Sequence, residues 1–121
     1  MGGGGSAGTG GQGAGGAGAS VNGCTLAQAT DKTSQSVVDL TWTLPHHQCI
    51  LVASGTQVHW NGSFSTHPLA GGVVPTMDPS SPISLASAVG GQVSVTFSNA
   101  GEYPYFCEVH FASMDGVIYV Q

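Results

Sequence analysis

The sequence has almost no basic residues: Lys32 is its only lysine, and arginine is absent. Six acidic residues give a formal net charge of −5 at pH 7. Proteins that bind nucleic acid neutralise its phosphates with lysine and arginine, so this composition excludes nucleic-acid binding. Binding to anionic membrane surfaces depends on the same residues and is excluded for the same reason.

Long apolar runs are also missing. No stretch of about 18 or more apolar residues occurs, so no transmembrane helix is predicted, and no secretory signal peptide is visible. Residues 1–20 are almost entirely Gly, Ala, Ser and Thr, which have nothing to bury and predict a flexible linker or tail. We expect this tail to have lost an export signal and to tether the domain to a membrane lipid or a neighbouring domain.

Residues 21–121 are enough for one small domain with a single core. No segment has a long helical period, and alternation of apolar and polar side chains predicts half-buried strands at 38–44 and 92–97. Further short strands are predicted at 24–30, 49–52, 56–60, 103–107 and 117–120. Seven or eight short strands predict an all-β fold, a two-sheet antiparallel sandwich. The stretch 68–88 has few strand signals and is interpreted as a long surface connection.

A thiol, an imidazole and a thioether follow one another closely after the predicted strand at 103–107. Cys107, His110 and Met114 form a Cys-x2-His-x3-Met pattern, and soft sulfur together with imidazole suits copper. A blue-copper site has two His and one Cys around the metal and a weak axial Met, so a second imidazole is needed. His67 is the candidate for that position.

The two other cysteines are left as a pair if Cys107 is a metal thiolate. Cys24 and Cys49 lie near the starts of two predicted strands, and a disulfide between them would stabilise the fold by roughly 3 kcal/mol. Such a disulfide implies an oxidising compartment. The alternative is two reduced, buried cysteines.

Three sequence patterns carry a family resemblance. They are Val58-x-Trp60-Asn61 ahead of a histidine, Gly101-x-Tyr103-x-Tyr105-x-Cys107-x2-His110-x3-Met114, and Gly116-Val117-Ile118-Tyr119-Val120. With them, the chain from about residue 26 to 120 resembles the cupredoxins, the type 1 (blue) copper proteins similar to plastocyanin, azurin and amicyanin. The resemblance implies a Greek-key β-sandwich that holds one copper ion near one end. The ligands that it implies are His67, Cys107, His110 and Met114.

One position departs from the pattern of many relatives. In those relatives an Asn follows the first ligand His and donates its backbone amide to the Cys sulfur, whereas here Pro68 has no N–H. We expect one hydrogen bond to the sulfur to be missing, and Val109 retains an amide that could supply another. Donors to the sulfur help to set the reduction potential.

The resemblance implies an exported, monomeric electron carrier that cycles between Cu(I) and Cu(II). Its partners would be larger redox proteins, namely cytochromes, oxidases or reductases, which dock through a basic or apolar face. Phe111, Pro68 and Leu69 are the candidates for an apolar docking rim around the edge of His110. The sequence offers no pairing of nucleophile and base and no second open metal set, so an enzyme is not predicted.

Two other functions fit the same sequence less well. A periplasmic copper-binding or copper-delivery protein would favour open Met-rich or His-rich sites, whereas this chain has three Met, one of them at position 1. A metal-free interaction sandwich would suit the fold and the disulfide but would leave Cys107 and its neighbours unexplained.

The remaining imidazole and indole side chains have structural interpretations. His46 and His47 lie in a predicted turn and are interpreted as solvated. His59 lies in an alternating strand and is expected to face solvent. Trp42 and Trp60 are expected in the core rather than as electron-relay residues.

Overall fold

A computed structural model describes residues 20–88 and 90–121. The predicted tail at 1–20 therefore lies, apart from Ser20, outside the described residues. In the part of the chain that is described, no helix has the length and apolar character needed to cross a membrane.

The described residues form nine strands, preceded by one short 3-10 helix at Leu26–Gln28. The strands are β1 (Thr30–Asp31), β2 (Val37–Trp42), β3 (His46–Val52), β4 (Thr56–Gly62), β5 (Leu69–Val73), β6 (Thr76–Met77), β7 (Gln92–Phe97), β8 (Gly101–Cys107) and β9 (Met114–Val120). The predicted all-β sandwich is confirmed, with slightly more strands than expected.

The strands form two sheets, with orders β1-β3-β9-β8-β5-β6 and β2-β4-β7. From β2 to β5 the chain changes sheet at every step. Each crossing reverses the direction of the chain. After two crossings β4 therefore runs in the same direction as β2, and the two strands pair in parallel. The pairs β3–β9 and β1–β3 are also parallel. The prediction of purely antiparallel sheets is therefore wrong in part.

Two segment predictions are also wrong. The segment predicted as a strand at 24–30 consists mostly of the short 3-10 helix and the residue before β1. Its one large apolar residue, Leu26, is 47% exposed, so the segment has no apolar side chain that packs into the core as a strand would require. The stretch 68–88, interpreted as a surface connection, contains the buried strand β5. Its small residues Ala70, Gly71 and Gly72 are all buried, so the strand shows no apolar–polar alternation.

The core lies between the two sheets and is centred on aromatic rings. Trp42 and Trp60 are fully buried, as predicted, and both lie against the ring of Tyr105. His46 was expected to be solvated, and that prediction is wrong: it begins β3 and is only 6% exposed. Burial of this ring is tolerated because both of its nitrogens have hydrogen-bonding partners.

A disulfide joins Cys24 to Cys49, as predicted, with Cα atoms 5.6 Å apart. It fastens the segment before β1 to the outer face of β3. There Cys24, Val117 and Tyr119 form a second, smaller buried cluster. Cys107 is the one free cysteine among the described residues and is fully buried.

Candidate metal centre

Four predicted ligands reach the same end of the sandwich from three places in the chain. His67 lies in the turn between β4 and β5, and Cys107 is the last residue of β8. Strands β5 and β8 pair so that Leu69 is opposite Cys107, which brings His67, two residues earlier, beside the sulfur. His110 lies in the loop that follows β8, and Met114 begins β9.

The structure brings three of these side chains together. The Nδ1 atoms of His67 and His110 are 3.2 Å apart, and Nδ1 of His110 is 3.8 Å from Sγ of Cys107. One ligand atom from each of the three residues lies within 4.8 Å of the others. Cys107 is fully buried and both imidazoles are partly buried, so the cluster lies just below the surface.

His67 is held in place through its backbone. The buried indole Nε1 of Trp42 donates to the carbonyl oxygen of His67 at 2.9 Å. The amide of His67 donates to the carbonyl of Ser63 at 3.0 Å, which closes the turn. The position of this imidazole is therefore set by the core of the sandwich and not by the loop alone.

The loop from Cys107 to Met114 is folded around His110. The carbonyl oxygen of His110 accepts hydrogen bonds from the amides of Ser113 and Met114, at 2.8 and 2.9 Å. The Met114 side chain is fully buried. These bonds turn the chain back on itself, so that β9 begins beside the cluster.

One backbone amide donates to the cysteine sulfur, but it is not the expected one. The amide of His110 lies 3.4 Å from Sγ of Cys107. Among the described residues, no such bond comes from Val109. Pro68 has no N–H to offer, and its carbonyl instead accepts from the amide of Glu108 at 3.0 Å.

The donor set fits copper. A neutral imidazole has one nitrogen that carries no proton and can bind a metal, and here two imidazole nitrogens face each other beside a thiol. The cluster includes no carboxylate, which is the ligand that hard ions such as Mg²⁺ and Ca²⁺ prefer. Thiolate and imidazole together favour copper or another thiophilic ion.

One predicted docking residue is not on the surface. Leu69 is fully buried, because it pairs opposite Cys107 inside the six-stranded sheet and points into the core. The prediction for Leu69 is therefore wrong. Phe111 is 42% exposed and Pro68 is half-buried.

A buried polar pair that the sequence analysis missed lies close to this end of the sandwich. Nδ1 of His46 is 2.8 Å from the carbonyl oxygen of Thr41, and Nε2 is 2.7 Å from the hydroxyl of Tyr105. Burial lowers the pKa of His46, although the Thr41 carbonyl opposes this shift. The sequence gives little signal for this burial, because the polar and exposed Gln48 interrupts the alternation between His46 and the buried Ile50.

The chain is similar to known proteins of one copper-binding family. The copper-binding proteins of the plastocyanin/azurin family match residues 48–121. No curated protein sequence matches the chain.

Solved structures of other proteins are also similar to this chain, and three of them follow. An amicyanin variant in the Cu(I) state, in which one methionine is replaced by alanine, is 23% identical to this chain and has a TM-score of 0.44. The match covers 78% of this chain and 88% of the amicyanin chain. A purple cupredoxin from Nitrosopumilus maritimus is 20% identical over 60% of this chain and 77% of its own, with a TM-score of 0.42. A copper-containing nitrite reductase from Thermus scotoductus SA-01 is 21% identical over 69% of this chain, with a TM-score of 0.46. The chain spans only 22% of the length of that reductase.

Proposed function

Because the chain belongs to the plastocyanin/azurin family of copper-binding proteins, we propose that it is a type 1 copper protein that carries single electrons between larger redox proteins. The observation that carries the proposal is the convergence of His67, Cys107 and His110. These three residues would hold the copper ion, with the buried Met114 as a weaker fourth ligand. Bound copper would supply one-electron chemistry between Cu(I) and Cu(II).

The residues around the cluster suit a carrier because they restrict movement and exclude water. Trp42 fixes the backbone of His67, and the amide of His110 fixes the sulfur of Cys107. Complete burial keeps water away from Cys107. Ligands that are held in place in this way do not need to rearrange when the charge at the site changes by one.

Docking would take place where the imidazole of His110 approaches the surface. Phe111 and Pro68 provide an apolar rim there, and the net charge of −5 favours a basic or apolar partner face. We propose that the partners are cytochromes, oxidases or reductases, and that the carrier is a monomer and not itself an enzyme. The Cys24–Cys49 disulfide supports a periplasmic or extracellular location.

Voltammetry combined with a copper-retention assay tests the proposal. A carrier gives one reversible one-electron wave and keeps its copper through repeated reduction in the presence of a Cu(I) chelator. Rapid loss of Cu(I) to the chelator would instead indicate copper delivery. Absence of any copper binding would indicate a metal-free interaction domain.

A further inference from the structure

A second group of metal-binding side chains lies on the outer face of the six-stranded sheet, around the disulfide. One ligand atom from each of Cys24, His47 and Cys49 lies within 4.8 Å of the others. Cys24 is buried, Cys49 is half-buried and His47 is exposed. None of these residues has a role in the copper centre.

The imidazole of His47 is oriented toward the disulfide. Its Nδ1 lies 2.7 Å from Oδ1 of Asp115, which is its partner in the parallel pairing of β3 with β9. A carboxylate oxygen accepts, so in the neutral form of the imidazole Nδ1 carries the proton and Nε2 is left without one. That unprotonated Nε2 lies 3.6 Å from Sγ of Cys49. A carboxylate that orients a His toward a metal is the usual outer-shell arrangement of metal sites.

We propose that reduction of the Cys24–Cys49 disulfide creates a second metal site, in which Cys24, Cys49 and His47 bind a thiophilic ion of the Zn²⁺ class. The reductant is a dithiol: it gives two electrons and two protons to the S–S bond, which opens to two thiols, and it becomes a disulfide itself. Metal binding then displaces the two thiol protons. Asp115 is a positioning residue that acts through His47.

The local geometry allows this change with little movement of the backbone. Two Zn–S bonds of about 2.3 Å at a tetrahedral angle place the sulfur atoms roughly 3.8 Å apart. The Cα atoms of Cys24 and Cys49 are 5.6 Å apart, so rotation of the side chains can provide that separation. The exposed side, next to His47, leaves a fourth position for water.

The bound ion would take over the mechanical role of the disulfide. The disulfide fastens the segment before β1 to β3 and covers Val117 and Tyr119. An ion held by residues of both segments closes the same loop of chain. The segment would therefore stay attached to the sheet in either redox state.

A matched control exists on the other sheet. His59 forms the same kind of pair with a carboxylate, with Nδ1 3.0 Å from Oδ1 of Asp39. Its Nε2 faces Oε1 of Gln57, at 2.6 Å, instead of a sulfur. A His59→Gln variant therefore removes a histidine–aspartate pair without touching the proposed site.

The test uses Co²⁺ as the probe and the full chain carrying Cys107→Ser, so that every thiolate signal comes from Cys24 and Cys49. After reduction with a phosphine and its removal, we expect one Co²⁺ per chain, with near-ultraviolet thiolate-to-cobalt absorption that the oxidised protein lacks. Asp115→Asn should weaken binding by about 10-fold to 100-fold, and His47→Gln by at least as much. His59→Gln should bind like its parent.

Three results would overturn the proposal: no thiolate-to-cobalt absorption after reduction, equal binding by the oxidised protein, or equal affinities for the His47→Gln and His59→Gln variants. Circular dichroism covers the case in which reduction unfolds the chain. Co²⁺ should then restore the β-sheet spectrum, because metal binding supplies folding free energy. A reduced chain that stays unfolded with Co²⁺ also counts against the site.

Discussion

The indole of Trp42 is the clearest case of a single distant side chain that shapes the proposed copper centre. Its hydrogen bond to the carbonyl of His67 connects that residue directly to the core of the sandwich. Trp42→Phe removes this bond, which is worth about 1 kcal/mol. We expect a lower copper affinity and a changed visible spectrum, measured by copper titration.

Trp60→Phe is the matched control for this prediction. Trp60 is equally buried, but among the described residues its Nε1 makes no hydrogen bond to a predicted copper ligand. This variant should lose stability through its smaller ring while its copper spectrum stays unchanged. Equal spectral changes in both variants would show that the bond from Trp42 does not control His67.

His46 makes the stability of the protein depend on pH. Burial lowers its pKa below the ordinary value of 6.5; the Thr41 carbonyl and Asp115 oppose the shift, and His47 adds to it. Below about pH 6.5 the unfolded chain therefore takes up a proton that the folded protein resists. We expect the free energy of unfolding to be highest above that pH and to fall as the pH drops, by at most about 1.4 kcal/mol per pH unit from this group.

Urea unfolding between pH 5 and pH 8 measures this dependence. His46→Gln should be less stable at pH 8 but should show a shallower fall toward pH 5. The His59→Gln variant keeps His46 and should retain the full fall. If His46→Gln and the parent lose stability in parallel, the buried imidazole is not responsible.

The spacing of Cys107 and His110 was enough to predict that these two side chains lie close together, because a short loop necessarily keeps its residues together. The contacts of Trp42 with His67 and of Tyr105 with His46 join residues far apart in the chain. Such contacts depend on how the sheets pack, which no local pattern encodes.

Strand β9 lies between β3 and β8. At Gly116, within this strand, the neighbouring strands leave no space for a side chain. A Cβ at that position would collide with the backbone oxygen of Gln48 and with the ring of Tyr105. Both belong to neighbouring strands and cannot move aside without breaking the sheet. We expect Gly116→Ala to lower the free energy of unfolding by about 2–3 kcal/mol, measured by urea denaturation.

Gly91→Ala is the corresponding control, because a Cβ there would meet no atom within 4 Å. Its stability should stay within about 0.5 kcal/mol of the parent. A Gly116→Ala protein as stable as Gly91→Ala would mean that β9 packs less tightly than described.

Strands were predictable where one face meets solvent. Strand β2 alternates exposed and buried residues along its whole length, and its sequence shows that alternation. Strand β5 is buried over four of its five residues and consists mainly of small residues, so its sequence resembles a loop. The parallel pairings were not predictable either, because they depend on the order in which the chain crosses between the sheets.

Two large apolar side chains are exposed in different parts of the molecule, and only one of them lies beside His110. Phe111, next to His110, and Val37, at the start of β2, are 42% and 43% exposed. Phe111→Asp would place a negative charge on each docking face when two copies meet, and like charges in contact oppose association. We expect electron self-exchange, measured by NMR on mixtures of oxidised and reduced protein, to slow about tenfold.

Val37→Asp changes the net charge by the same amount but lies at the opposite end of β2 from Trp42, the residue that contacts His67. Its self-exchange rate should stay close to that of the parent, and neither variant should change the copper spectrum. Equal slowing in both variants would mean that net charge, and not a docking face around His110, governs the encounter.

Addition of one equivalent of Cu(II), followed by visible and electron paramagnetic resonance spectroscopy, tests the copper centre most directly. We expect strong thiolate-to-copper absorption with narrow hyperfine splitting, which is lost in the Cys107→Ser variant and altered in a His67→Gly variant. A weakly coloured protein with wide hyperfine splitting, or a spectrum that does not change when Cys107 is replaced, would contradict it.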